Sequence, residues 1–145
     1  MILFKQAAAL QNYLNNQHSK GATIGFVPTM GALHRGHLSL LQQAKAETDI
    51  AVCSIFVNPT QFNNSDDFNK YPVTTEQDIA LLTNQGCDVL FLPSRDEIYP
   101  AGFTAEQYDL GDLETVLEGQ FRPGHYQGVC QVMDRLLGIV QPQKL

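Results

Sequence analysis

Ile50-Ala51-Val52-Cys53-Ser54-Ile55-Phe56-Val57 is the stretch that decides the architecture. Seven of its eight residues are apolar, and there is no alternation that would leave one face to solvent. Such a run fits a strand of a parallel sheet, covered by helices on both sides. Upstream, Thr23 to Val27 reads as a shorter strand stopped by Pro28. Between the two strands, Arg35 to Glu47 places Leu38, Leu41 and Ala44 on one helical face. Downstream come a polar loop from Asn58 to Tyr71, then a helix from Thr75 to Asn84 capped by Gly86. A third strand, Asp88 to Leu92, ends at Pro93. A first helix carries Ala7, Leu10 and Leu14, and Asn15 to Gly21 is expected to break it. Beyond Ser94 the pattern loosens to a short helix near Asp112 to Leu117. A longer helix, Tyr126 to Val140, presents Val129, Met133, Leu136 and Val140. Strands alternating with helices predict an α/β domain: a mostly parallel sheet flanked by helices.

Composition narrows the function classes. At 145 residues one domain is expected, and it can build a core without metal or disulfide staples. The net charge is −6 and the nine Lys and Arg residues never cluster. That excludes the concentrated basic patch that duplex DNA or an anionic membrane requires. No apolar run approaches the ~20 residues of a membrane span. The start, Met1-Ile2-Leu3-Phe4-Lys5, has its charge after the apolar residues, unlike a signal peptide. Cys53, Cys87 and Cys130 are odd in number and widely spaced, as free thiols in a reducing compartment would be. A cytoplasmic protein is expected.

Ligands of open α/β sheets bind outside the carboxyl ends of the strands. Two distinctive segments fall there: Pro28-Thr29-Met30-Gly31-Ala32-Leu33-His34-Arg35-Gly36-His37 after the first of these strands, and Asn58-Pro59-Thr60-Gln61-Phe62 after the second. If the strands are neighbours, both segments face one crevice. His34 and His37, three apart at a helix start, fall on one face. The helix start also offers unpaired N–H groups and a positive dipole end, suited to phosphate. Imidazoles beside a triphosphate can donate to charge developing on the leaving phosphates. Gly36 leaves room for a base or ribose to approach the backbone. Gln61 and Asn58 are amides able to donate and accept at once, as a hydroxy acid would need, although a loop glutamine is more often solvated and Asn58 beside Pro59 also suits a turn. Arg122-Pro123-Gly124-His125 reads either as an anion clamp or as a turn and helix start. Asp66-Asp67 lacks a third ligand, so no metal site is expected, and no Walker-type phosphate loop is present.

These segments carry a resemblance. PTMGALHRGH, SIFVNPTQF with the downstream DDFNKYP, and EGQFRPGHYQGV stand in the order found in the pantothenate synthetase (pantoate–β-alanine ligase) family. His-x-Gly-His alone is shared by a wider nucleotidylyltransferase superfamily; the three segments together, from Gly25 to Gln141, are far more specific. The resemblance implies a Rossmann-like domain, ATP-dependent adenylation of pantoate, and attack by β-alanine to give pantothenate, AMP and pyrophosphate. By position, Met30, Gly31, Ala32, Leu33, His34, Arg35, Gly36 and His37 would form the ATP segment, with Mg²⁺ accompanying the nucleotide. His37 would stabilise or protonate the departing pyrophosphate and His34 would assist. Gln61 would bind the pantoate hydroxyl and carboxylate, with β-alanine beside it and Asn58. Val129 and Val132 would face the pantoate methyl groups. A homodimer is implied as well.

The sequence departs from the family pattern at Val73, where arginine is usual, and at Arg135, where lysine is common. The family chain is about twice as long, with a Gly-x-Lys-Asp segment and a closing C-terminal domain that are not found here. Residues 1–145 therefore read as the N-terminal nucleotide- and pantoate-binding domain, expected to be inactive alone. Two rivals remain: another His-x-Gly-His nucleotidylyltransferase, and a nucleotide-binding module without catalysis.

Overall fold

The structure is a computed structural model that describes residues 1–62, 64–116 and 118–145, with the side chain of Ser65 not described. Among the described residues, four strands form one parallel sheet: β1 (Ile2–Phe4), β2 (Ile24–Thr29), β3 (Ile50–Ile55) and β4 (Val89–Phe91), in the order β1-β4-β3-β2. The helices are α1 (Ala7–Ser19), α2 (Arg35–Glu47), α3 (Ser65–Lys70), α4 (Thr75–Asn84), α5 (Arg95–Ile98), α6 (Glu118–Phe121) and α7 (His125–Val140). Single 3-10 turns stand at Pro59–Gln61 and Gly111–Glu114.

Alternate residues of each strand face opposite layers. Ile24, Phe26, Ile50, Val52, Val89 and Phe91 pack with Leu10 and Leu14 of α1 and with Val132, Leu136 and Ile139 of α7. Val27, Ala51, Cys53, Ile55 and Leu90 pack with Leu41 and Ala44 of α2 and Leu82 of α4. The sheet is thus sandwiched, and every residue of β3 is buried, as its uniform composition predicts. α2 and α4 have the expected bounds, and the α/β class stands.

Several boundaries differ from the sequence reading. β1 has no counterpart in it; three residues are too short for a periodic signal, and its partner lies far along the chain, with Ile2 beside Val89. β2 runs through Pro28 to Thr29. The even-numbered N–H groups of β2 point to the sheet's outer edge, where Ile24 N–H meets the Gln143 side chain and Phe26 N–H meets the Lys144 carbonyl. The N–H that Pro28 lacks falls on that edge, where the inner ladder does not use it. α1 continues to Ser19 rather than breaking at Asn15, and Asn15, Asn16 and Ser19 lie exposed on its solvent side; Gly21, at φ +85°, ends it. Within the expected 58–71 loop, Asn64 caps α3 by accepting the Asp66 N–H. β3 ends at Ile55, two residues early, and β4 spans only Val89–Phe91. The short helix expected near Asp112 is the 3-10 turn Gly111–Glu114, and its expected end, Leu117, lies outside the described residues.

Candidate functional site

β2 and β3 are hydrogen-bonded neighbours whose last residues, Thr29 and Ile55, lie abreast. The two segments singled out by sequence therefore leave the sheet side by side. Together with α7 they border a cleft of about 260 Å³, lined by Thr29, His37, Asn58, Gln61 and Tyr71 on its polar side, with Met30 beside them. Val129, Val132, Met133 and Leu136 of α7, with Phe56, form its apolar wall.

The first segment turns sharply after β2. Gly31 sits at φ +86° and Ala32 at φ +50°. The left-handed backbone at residue 31 suits glycine, and a Cβ there would lie 3.1 Å from Asp78 Oδ2. Asp78, on α4 and 2% exposed, accepts the Ala32 N–H at 3.0 Å and the Leu33 N–H at 2.8 Å. Thr74 donates its hydroxyl to the same carboxylate at 3.0 Å. α2 then starts with a reciprocal cap: Gly36 N–H donates to His34 Nδ1 at 3.1 Å, and His34 N–H donates to His37 Nδ1 at 3.3 Å. The two rings lie 4.1 Å apart between centroids.

This capping fixes the chemistry of the pair. A nitrogen that accepts a backbone N–H carries no proton, so each neutral ring holds its proton on Nε2. Both rings thus keep an Nε2–H donor free of the cap. Burial, and then the neighbouring His34, push the pKa of His37 below its ordinary value, with Asp78 opposing. The expected row of free N–H groups is only partly present: those of Ala32, Leu33, His34 and Gly36 are already taken. Arg35 and Gly36 are exposed beside the rings.

The second segment is held from below. Asn58 is 1% exposed; its Nδ2 donates to Gln61 Oε1 at 3.2 Å and to the Gly128 carbonyl at 3.0 Å. Its Oδ1 accepts from the Thr60 hydroxyl at 3.0 Å, the Thr60 N–H at 3.3 Å and the Tyr99 hydroxyl at 2.9 Å. Gln61, 8% exposed, points its Nε2 at Met30 Sδ, 2.8 Å away, so the two segments touch. His125 Nδ1–H donates to the Gln61 carbonyl at 2.9 Å. α7 lies against this turn because Gly128 has no side chain: a Cβ would come within 2.4 Å of the Thr60 carbonyl oxygen.

Residues 2–145 match the family model described as pantoate-β-alanine ligase. The chain belongs to the pantoate–β-alanine ligase family. A pantothenate synthetase from Porphyromonas gingivalis is 49% identical over 99% of this chain, and one from Phocaeicola vulgatus is 50% identical over the same share. The pantoate-β-alanine ligase structure from Francisella tularensis, complexed with beta-gamma ATP and β-alanine, superposes with a TM-score of 0.91 at 45% identity. It matches 98% of this chain and 54% of its own. The pantothenate synthetase from Thermus thermophilus gives 0.89 at 46% identity over 99% of this chain and half of its own. The chain spans about half the length of the curated relatives it matches.

Within this family fold, the residues chosen from sequence divide by exposure. Met30, His37, Asn58 and Gln61 line the cleft; the polar groups of the Asn58 side chain are all engaged by protein partners, and both ends of the Gln61 amide meet protein atoms, Oε1 at Asn58 and Nε2 at Met30. Arg122 pairs with Glu118 at 3.6 Å, and Gly124, at φ +79°, turns the chain into α7, which starts at His125. Asp78, Tyr99 and Gly128 went unread in the sequence. Asp78 had a signal: it sits four residues before Leu82, a charge on the stripe that α4 buries. Among the described residues no group of three or more His, Cys, Asp or Glu is set to hold a metal, and no helix is long and apolar enough to cross a membrane. The cysteines are unpaired, Cys53 and Cys87 buried and Cys130 partly so.

Proposed function

We propose that this chain supplies the ATP- and pantoate-binding part of a ligase joining pantoate to β-alanine. The observation that carries the reading is the shared cleft, in which His37, Gln61 and the apolar wall of α7 line one cavity. A small branched hydroxy acid suits it: apolar surface for methyl groups, one amide for the hydroxyl and carboxylate. Met30 to His37 is the ATP segment of the proposal, with Mg²⁺ entering on the nucleotide's phosphates as part of the substrate.

In the proposed reaction a pantoate carboxylate oxygen attacks the α-phosphorus of ATP, and the bond to the β-phosphate's bridging oxygen breaks. Negative charge grows on the leaving pyrophosphate, where the Nε2–H groups of His37 and His34 would donate. The β-alanine amine then attacks the acyl carbon, loses a proton as the amide forms, and AMP departs. Gln61 orients pantoate, and Asn58 acts through Gln61, with β-alanine arriving beside the pair. Residues 1–145 would be the Rossmann-like N-terminal domain of a longer enzyme, a reading supported by the half-length match to the relatives; that enzyme would be cytoplasmic and homodimeric.

Pantoate-dependent exchange of pyrophosphate into ATP tests this, on this chain and on one continued to the relatives' length. The longer chain is expected to exchange and the shorter one to form no pantothenate. In the longer chain His37→Ala should cost about 10²–10³-fold in exchange, as loss of one transition-state donor does, with little change in ATP affinity. Near-normal exchange by that variant would refute the role.

A further inference from the structure

The carboxylate of Asp78 is a buried anion with an unusual set of partners. Among the described residues no basic side chain lies within 4 Å of it. Its hydrogen bonds come from the Ala32 and Leu33 backbone N–H groups and the Thr74 hydroxyl. The first two donors belong to the left-handed turn that begins at Gly31 and feeds α2. Successive N–H groups in such a turn form a concavity that binds anions. Here the protein fills it with an anion of its own.

We propose that Asp78 is a positioning residue for the nucleotide segment: its carboxylate, seated in the Gly31–Leu33 turn, fixes the direction in which α2 presents His34 and His37. Leu33 directly precedes His34, so the turn's orientation is passed to the reciprocal cap within one residue. Because the turn's amides are taken, phosphate contacts fall to the imidazole Nε2–H groups and the start of α2. That nucleotide arm rests on the function proposed above; the arm concerning the turn does not.

The substitution Asp78→Asn keeps the shape but offers one oxygen where two accept, and turns an NH₂ toward a backbone N–H. In the 145-residue chain, Ala32 and Leu33 amide exchange should accelerate about 10–100-fold, the usual weight of a hydrogen bond to a charged group. Strand amides should keep their protection, and ring ¹⁵N spectra of His34 and His37 should lose the single Nε2–H tautomer. ATP affinity should fall by a similar factor. Thr74→Val is a milder second variant, serving if Asp78→Asn does not fold. Thr74 shares Oδ2 with Ala32, so Ala32 should speed up more than Leu33. Unchanged exchange and ring spectra in Asp78→Asn, or equal effects at both amides in Thr74→Val, would overturn the proposal. If the turn loosens as stated while the unmutated chain takes up no ATP, the positioning role stands and the nucleotide reading fails.

Discussion

Replacing Gly128 by alanine sets two effects of opposite sign against each other. In an exposed helix interior the change stabilises by up to ~1 kcal/mol, since glycine loses more backbone entropy. At this site the new Cβ would lie 2.4 Å from the Thr60 carbonyl oxygen and 2.6 Å from Gln61 N and Cα. All three are backbone atoms, so no side-chain rotation relieves the overlap. Reaching an ordinary 3.4 Å contact requires α7 and the Pro59–Gln61 turn to part by about 1 Å. That separation breaks the Asn58–Gly128 hydrogen bond, now 3.0 Å, and stretches the His125–Gln61 bond, now 2.9 Å. Overpacking costs ~1–3 kcal/mol and each lost bond ~0.5–1.5 kcal/mol. After the helix-propensity gain, a net loss of about 1–4 kcal/mol remains, or a Tm lower by roughly 3–12 °C for a chain this size. Gly138, on the same helix with nothing within 4 Å of its would-be Cβ, is the control. Differential scanning calorimetry should show Gly138→Ala stabilised and Gly128→Ala destabilised. A Tm for Gly128→Ala at or above the unmutated value would refute the steric argument.

Other perturbations probe the cleft and the core. Gln61→Ala should weaken pantoate binding about 5- to 150-fold, the weight of ~1–3 kcal/mol for a polar group left unmatched, with ATP affinity unchanged; titration calorimetry with each ligand reads the split, and a loss confined to ATP would place Gln61 elsewhere. For His37 the folded pKa is below the ordinary value, so between the two values the unfolded chain binds more protons. Stability should therefore be fully present above about pH 6.5 and decline as pH falls through that window, since burial and then the neighbouring His34 disfavour the charged ring; the second proton would also end its acceptance of the His34 N–H. Thermal melts from pH 7.5 to 5.5 should fall less in His37→Gln than in the unmutated chain; equal slopes would contradict this. Burial pushes the Cys87 thiol up to about 11 and Cys53 higher still, so one thiol, Cys130, should react quickly with a disulfide reagent at pH 8, and three fast thiols would show the core to be open.

What the sequence revealed, and what it hid, follows from the range of the interactions. α2 and α4 were readable because their apolar spacing and their ends are local properties. β3 was readable because a strand buried on both faces needs no polar side. Pro28 misled because its effect depends on which edge of the sheet β2 occupies, and no local pattern carries that. That the His34–His37 segment and Gln61 leave neighbouring strands was legible from their places after two strands, but the tautomers of the rings and the partners of the amide were not. Asn58 shows the limit best: its partners stand at Gly128, Tyr99, Thr60 and Gln61, and only the folded chain brings them together.

The register of β1 has a consequence for the order of assembly during synthesis. Ile2, Leu3 and Phe4 pair with Val89, Leu90 and Phe91, so β1 waits for β4, which is made about 85 residues later. At ~5–20 residues per second, that wait is on the order of 10 seconds. The β2–α2–β3 unit, whose partners lie within about thirty residues, has a far shorter loop to close and can form meanwhile. Until β4 arrives, β3 has an unpaired edge and the apolar Met1–Phe4 stretch stands free. That interval is when the nascent chain is most open to strand pairing with a neighbour, and when a holding chaperone would have the most to cover.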